Sequence, residues 1–284
     1  MNAIPPFTRI LLPTDLGDGA QQGFALGLRL ALGGRGTLDV VHVHGTAESP
    51  RWAKLPAAKD MLVRWGTLSP DADVQAFHHL GVTLDYTSMP ALVFETPVLA
   101  HVARTGPELL ILPTGARTGL KRLALPSFAE DIARRANVPA IFLPEGAPTL
   151  VDPESGIAHL ETAMIPLGDT EDAYAALIVL QRLCDALGTS PTTVFFVHAG
   201  SASSQPPLPP AHLLPAARRR VLRYEGSPAS AIQQAIRDQG ADLVVLATRG
   251  HDSLWDRVAG SNTEKLIRHA GCPVLALPAP APRA

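Results

Sequence analysis

Cysteine is scarce in this sequence: Cys184 and Cys272 are the two in 284 residues. Two thiols in so long a chain build neither a disulfide framework nor a metal quartet, which points to a reducing compartment. Charge of one sign is also lacking. The net charge of −2 excludes bulk attraction to nucleic acid or to an anionic membrane. The local run Arg218-Arg219-Arg220 reads as a solvated approach to a strand, not as a binding patch. No apolar run comes near the roughly 18 residues of a membrane span. The opening "MNAIPPFTRILLPTD" lacks the basic stretch and apolar core of a secretion signal. A cytoplasmic protein with no membrane and no nucleic-acid partner is therefore expected. Catalytic signatures are missing too. There is no Gly-x4-Gly-Lys-Ser/Thr loop and no Cys/His cluster with metal-ligand spacing, so neither catalytic residues nor a metal site is expected. "GDGAQQG", residues 17–23, resembles a dinucleotide loop but is one residue off its spacing, and no acid ends the second strand to hold a ribose.

What the sequence does hold is a repeat. Residues 106–144 align without a gap on residues 240–278, a shift of 134, and twelve of the 39 pairs are identical. They include Thr114/Thr248, Leu120/Leu254, Ser127/Ser261, Glu130/Glu264 and Pro139/Pro273. The beginnings pair at a larger shift, "RILLPTD" with "AMIPLGD" and "LDVVHVHG" with "TVFFVHAG", because half 1 has a longer middle at about residues 46–80.

Each half reads strand, helix, strand, variable segment, strand, helix, strand, loop, helix, strand. The strands are short apolar runs without alternation, the pattern of a sheet covered on both faces. The helices, such as "GDGAQQGFALGLRLALG" and "ASAIQQAIRDQG", are amphipathic. This order predicts an α/β fold with parallel sheets and right-handed crossovers, and ligands at the carboxyl ends of the strands where strand order reverses. Two domains are expected, 1–146 and 160–279, joined by the Gly- and Pro-bearing "GAPTLVDPESGIAHL". The Pro-rich "SASSQPPLPPAHLLP", residues 201–215, replaces the variable segment of half 2 as a loop. The tail "PAPAPRA" is expected to fray.

The stretch "VLRYEGSPASAIQQAIRDQGADLVVLATRG…GSNTEKLIRHAGCPVLAL" resembles the universal stress protein family, and half 1 resembles a more diverged copy. The resemblance spans nearly the whole chain and matches tandem members. It implies two Rossmann-like domains of the adenine nucleotide alpha hydrolase kind, each a five-stranded parallel sheet of order 3-2-1-4-5. It also implies that the two pair through their last strands as an intramolecular pseudo-dimer, a monomer or a homodimer of that unit. Many family members bind ATP through Gly-x2-Gly-x9-Gly-Ser/Thr after strand 4 with an Asp ending strand 1; others lack these residues and do not.

Carried onto this sequence residue by residue, that pattern names Ala247, Gly250, Gly260 and Ser261, followed by Asn262 and Thr263. A glycine admits a ligand close to the backbone, and free N–H groups opening a helix suit phosphate oxygens. The first family glycine is Ala247 here. In half 1 the three glycine positions read Pro113, Ala116 and Pro126, so phosphate binding is not expected there. Ser261-x-x-Glu264 and Ser127-x-x-Glu130 are also capping boxes, which by themselves establish only a helix start. Asp15 stands at the family's aspartate position, where it would hold a ribose or metal-bound phosphate, or cap the first helix. Half 2 has Gly168 in that place and Asp169 one residue on. After strand 2 the base would meet Val43 in half 1 and Ala199 in half 2, each preceded by a histidine read as structural, His42 and His198.

The leading expectation is a stress-response module that binds ATP, with Mg, in half 2 and does little or no catalysis, at most slow hydrolysis. A second reading is a tandem protein that binds no nucleotide and serves as a scaffold for protein partners. A third, an ATP-dependent ligase or nucleotidyl transferase, would need a His-x-Gly-His or Ser-Gly-Gly-x-Asp-Ser loop where this chain has "PTDLGDG" and "PLGDTED".

Overall fold

The computed structural model describes residues 4–14, 16–17, 19–44, 52, 55–90, 95–114, 126–168, 170–247 and 270–278. Half 1 runs β1 (Arg9–Thr14), α1 (Ala20–Gly34), β2 (Thr37–His44), α2 (Ala58–Arg64), α3 (Val74–His79), β3 (Thr83–Pro90), α4 (Glu95–Thr105), β4 (Leu109–Thr114), α5 (Pro126–Ala136) and β5 (Ala140–Pro144). Half 2 runs β6 (Thr162–Pro166), α6 (Thr170–Leu187), β7 (Thr193–Ala199), β8 (Arg218–Tyr224), α7 (Pro228–Gln239), β9 (Leu243–Ala247) and β10 (Val274–Leu277).

The strands form one ten-stranded sheet of order β3-β2-β1-β4-β5-β10-β9-β6-β7-β8. Read outward from the middle, each half has the order 3-2-1-4-5, and every pairing within a half is parallel. The seam between β5 and β10 is antiparallel. Interior strands are buried along most of their length, which explains their unbroken apolar sequences. The terminal strands β3 and β8 are half exposed.

The seam lies on a pseudo-twofold axis. Ile141 pairs with Leu275, its own counterpart at the shift of 134. Below the sheet α1 packs on α6, where Arg29 and Arg182 occupy equivalent places at a shift of 153 and each reaches into the other half. Arg29 donates to the Leu187 carbonyl at 2.8 Å. Arg182 donates to Pro5 O at 2.7 Å and Pro6 O at 3.2 Å, and lies 4.1 Å over the Phe7 ring. Left-handed backbone recurs in register too: Arg35 with Gly188, Gly106 with Gly240, Asn137 with Gly271. An acid before the fourth strand clasps the start of the first in both halves. Glu108 accepts from Thr8 N at 2.7 Å, and Asp242 from Glu161 N at 2.7 Å and Thr162 N at 2.8 Å.

The segment between the halves is an ordered hairpin docked on half 1. Val151 bridges Ala158 antiparallel, and the Asp152 carboxylate accepts from Glu154 N and Ser155 N at 2.7 and 3.1 Å. Trp65 donates its indole N–H to Pro153 O at 3.0 Å. Gly156 holds φ +70, and a Cβ there would strike the Trp65 ring, so only glycine fits. The Pro-rich segment is tied down as well: Leu214 N donates to Gln181 Oε1 at 2.9 Å, and Leu213 and Leu214 are buried.

Two predictions follow from these contacts. A glycine within a helix ordinarily costs about 1 kcal/mol relative to alanine. At Gly33 the sign should reverse, because an added Cβ would fall on the Ala186 carbonyl at the α1–α6 crossing. Gly33→Ala is expected to lower the thermal midpoint; a raised midpoint would contradict this packing. Burial works to raise the Glu108 pKa, but hydrogen bonds from Thr8 and the charge of Arg182 together hold it below its ordinary value. Its contribution is therefore complete above the unfolded value of about 4.3 and lost as pH falls through the lower folded value. Denaturant titrations should show Glu108→Gln weakest against wild type at pH 7, with the gap closing toward pH 3.

Candidate functional site

The carboxyl ends of β1 and β4 in half 1, and of β6 and β9 in half 2, flank the reversal of strand order where such sheets take ligands. The register aligns the two mouths. Ile10 pairs with Leu109 as Ala163 pairs with Leu243, so Thr14 corresponds to Leu167 and position 15 to Gly168. That corrects the pairing of "RILLPTD" with "AMIPLGD" by one residue and keeps Gly168 as the counterpart of position 15. It also makes His42 the counterpart of His198, Val43 of Ala199, and Pro113 of Ala247.

Of the residues named from sequence, Asp15, Asp169, Gly250, Gly260, Ser261, Asn262 and Thr263 lie outside the described residues. Val43, Ala199, Ala247 and Ser127 lie within them. Ala247 ends β9 beside β6, and Ala199 ends β7 on the other side of β6. Both are half-buried, whereas Val43 is fully buried among Val41, Val98 and Val102. Ser127 lies inside the first turn of α5, which begins at Pro126. The capping-box expectation put the helix start at Ser127 itself; proline, whose fixed φ suits a first helical position, moves it one residue earlier. The helix end that would face a phosphate in half 1 thus begins with a residue lacking an N–H.

The histidines do the same work in both halves. His42 Nδ1 lies 2.9 Å from Thr14 O, and His198 Nδ1 lies 3.0 Å from Leu167 O. A carbonyl only accepts, so each Nδ1 carries the proton and donates, and each ring ties down the last turn of strand one at the mouth. His198 Nε2 lies 3.1 Å from Ser204 Oγ. His42 is stacked with His44 at 5.7 Å and meets the edge of Trp52 at 5.8 Å, while Trp52 meets Tyr86 at 5.4 Å.

The mouths differ in what covers them. In half 1 Thr14, Leu16, His42 and Val43 are all buried, with Trp52 over His42. Leu16 holds a left-handed φ of 58° and donates its N–H to Thr14 Oγ at 3.0 Å. In half 2 Gly168 is exposed, and a Cβ placed there would meet no atom of the described residues within 4 Å. Between described counterparts the difference is Ala199, half-buried, against Val43, fully buried, while Leu167 and His198 are as buried as Thr14 and His42.

Three further groups were not legible as a site. Asp39 on β2 accepts from His101 Nε2 on α4, and Arg104 donates to His101 Nδ1 at 2.8 Å. The equivalent places in half 2 are Phe195 and Ala235, and the chain of contacts starts near the amino end of β2, away from either mouth. A cleft of about 390 Å³ lined by Arg29, Trp65, Ser155 and Thr189 also opens at the amino ends of the strands, the wrong end for this fold's ligands. Burial pushes the Cys184 and Cys272 thiols up to about 12, with Asp185 and Asp242 adding to it, so neither is poised as a thiolate. Among the described residues no group of three His, Cys, Asp or Glu side chains could hold a metal, and no helix is long and apolar enough to cross a membrane.

A long-range ¹H–¹⁵N spectrum at neutral pH should show His42 and His198 both protonated at Nδ1. A mobile mixture of tautomers would remove the clamp on the strand-one turn.

The universal stress protein family model matches residues 211–278. A curated relative, "Universal stress protein in QAH/OAS sulfhydrylase 3'region" of Thermus aquaticus, is 41% identical over 58 residues, which is 20% of this chain and 42% of the relative's length. A universal stress protein from Archaeoglobus fulgidus has the same fold at 14% identity, a TM-score of 0.57, and coverage of 95% of this chain and 97% of its own. A putative universal stress protein from Pseudomonas aeruginosa UCBPP-PA14 likewise gives 14% identity and a TM-score of 0.57, covering 97% of this chain and 93% of its own. Residues 211–278 of half 2 therefore match the universal stress protein family, within a tandem α/β chain that has the fold of the solved universal stress proteins over nearly its whole length.

Proposed function

We propose that this chain is a nucleotide-responsive stress protein that takes one adenine nucleotide, ATP with Mg, at the mouth of half 2. Half 1 acts as its structural mate. The observation that supports this most is the difference between the two mouths. Ala199 is half-buried where its counterpart Val43 is fully buried, and Gly168 is exposed among the described residues. The sequence supplies Gly250 and Gly260-Ser261 on that same half, while half 1 starts α5 on Pro126. Backbone N–H groups at a helix start favour phosphate, and a small residue such as Ala199 leaves room for a base. The mouth of half 2 is read as a binding site with at most slow hydrolysis. The β5–β10 seam already supplies a paired two-domain unit, which suits a monomer or a homodimer of it, in the cytoplasm.

The second reading, a scaffold for protein partners that binds no nucleotide, is favoured by Ala247 and Gly168 standing where the family pattern has glycine and aspartate. Calorimetric titration with MgATP separates the two. Wild type should bind close to one equivalent, Gly260→Pro should weaken binding tenfold or more with an unchanged circular dichroism spectrum, and Pro126→Gly should add no second site. A folded wild type that takes up no nucleotide would leave the scaffold reading standing.

A further inference from the structure

The seam between β5 and β10 leaves β3 and β8 as the two terminal strands of the sheet. β8 is the sequence "RRRVLRY", four arginines in seven residues. In a chain of net charge −2 this is a concentrated block of positive charge on a sheet edge.

Among the described residues the main chain of β8 is bonded on its β7 side alone. Arg218 N donates to Thr192 O, and Tyr224 O accepts from Gly200 N, so residues 218, 220, 222 and 224 turn their amides toward β7. By the two-residue alternation of a strand, Arg219, Val221 and Arg223 turn theirs outward. Their side chains are already arranged. Arg219 is braced by bonds to Pro209 O at 2.8 Å and Leu213 O at 2.7 Å, and its guanidinium lies 6.0 Å from the Phe196 ring. Arg220 lies 5.7 Å from the Phe195 ring on the other face. Arg218, Arg220 and Arg223 are exposed. Positive charge therefore flanks the open edge on both faces of the sheet. The acids nearby, Glu225 and Asp238, stand at the far end, where Asp238 accepts from the Tyr224 hydroxyl at 3.0 Å.

We propose that β8 is a docking edge for an acidic, extended peptide segment of a partner protein, which adds to the sheet as a further strand. The outward amides of Arg219, Val221 and Arg223 would supply main-chain bonds, and acidic side chains on both faces of the added strand would meet the arginines. The same charges repel the β8 edge of a second copy, so the edge is closed to self-pairing and open to a strand of opposite sign. This surface is independent of the nucleotide site, and its test does not depend on nucleotide binding.

The test is fluorescence polarisation with a labelled octapeptide of Glu-Glu-Val-Val repeated twice, which puts glutamate on both faces of an extended strand, against the same peptide with lysine for glutamate. Saturable binding of the acidic peptide alone is expected. It should weaken at least tenfold in Arg218→Glu/Arg220→Glu, and be unchanged in Arg237→Glu, an exposed arginine on α7. A version of the acidic peptide N-methylated at alternate residues keeps the charge and removes the main-chain donors; it should lose binding by a similar factor. Equal binding of the methylated peptide, equal displacement by a single-stranded oligonucleotide of the same charge, or no binding of the acidic peptide to folded protein would each overturn the proposal.

Discussion

The rest of the structure depends on the antiparallel pairing of β5 with β10. A parallel sheet is stable only when both faces are covered and its edges are few. Joining two five-stranded sheets at their last strands buries what would otherwise be two apolar edges, and brings α1 and α6 together beneath the seam. Ile141 opposite Leu275 marks the axis, and Gly33 against Ala186 is a close approach of the helices. From that axis Arg29 and Arg182 each reach across to main-chain carbonyls of the other half. A charged donor held on a carbonyl is stronger than a neutral bond and fixes orientation as well as contact. The halves are therefore one body with a shared core, and the free edges are displaced to β3 and β8.

Within that shared frame the two copies have specialised. Both keep the histidine that holds the carbonyl ending the turn of strand one, because that turn shapes the mouth whether or not a ligand comes. They differ above it. Half 1 has spent its longer middle segment on Trp52, Trp65 and the docked hairpin, covering its mouth on one side and anchoring the inter-domain segment on the other. Half 2 has a shorter Pro-rich segment in that place, and it packs against α6 and β8 and leaves Gly168 exposed. The buried Asp39–His101 contact of half 1, replaced by Phe195 and Ala235 in half 2, shows the same freedom on the face of the sheet opposite α1 and α6.

Much of the fold was legible in the sequence. Uninterrupted apolar runs such as "LLIL" and "LVVL" signal strands covered on both faces, and the shift of 134 aligns left-handed positions such as Asn137 and Gly271 as well as identical residues. The site was legible only in part. Val43 and Ala199 have the same place in the pattern, yet one is fully buried and the other is not. Side-chain exposure depends on what packs above, and Trp52 comes from a segment with no counterpart in the repeat. Gly156, in the segment expected to join the domains, proved to be a turn glycine pressed on Trp65, and the arginine run proved to be a strand and not the approach to one. In both cases local composition is the same for a free segment and a docked one, and only the docking partner tells them apart.

What the sequence by itself determined is the order and type of the elements, the doubling of the domain and the end of the sheet at which a ligand would sit. Periodicity, turn residues and repeat spacing are local properties, and they survive in a single string of residues. The tertiary structure alone decided the one-residue register between the halves, the full burial of Val43 against the partial exposure of Ala199, the crossing of Arg29 and Arg182, and the exposure of the β8 edge. These are contacts between residues far apart in the chain, and their outcome is set by which side chain fills a given space first.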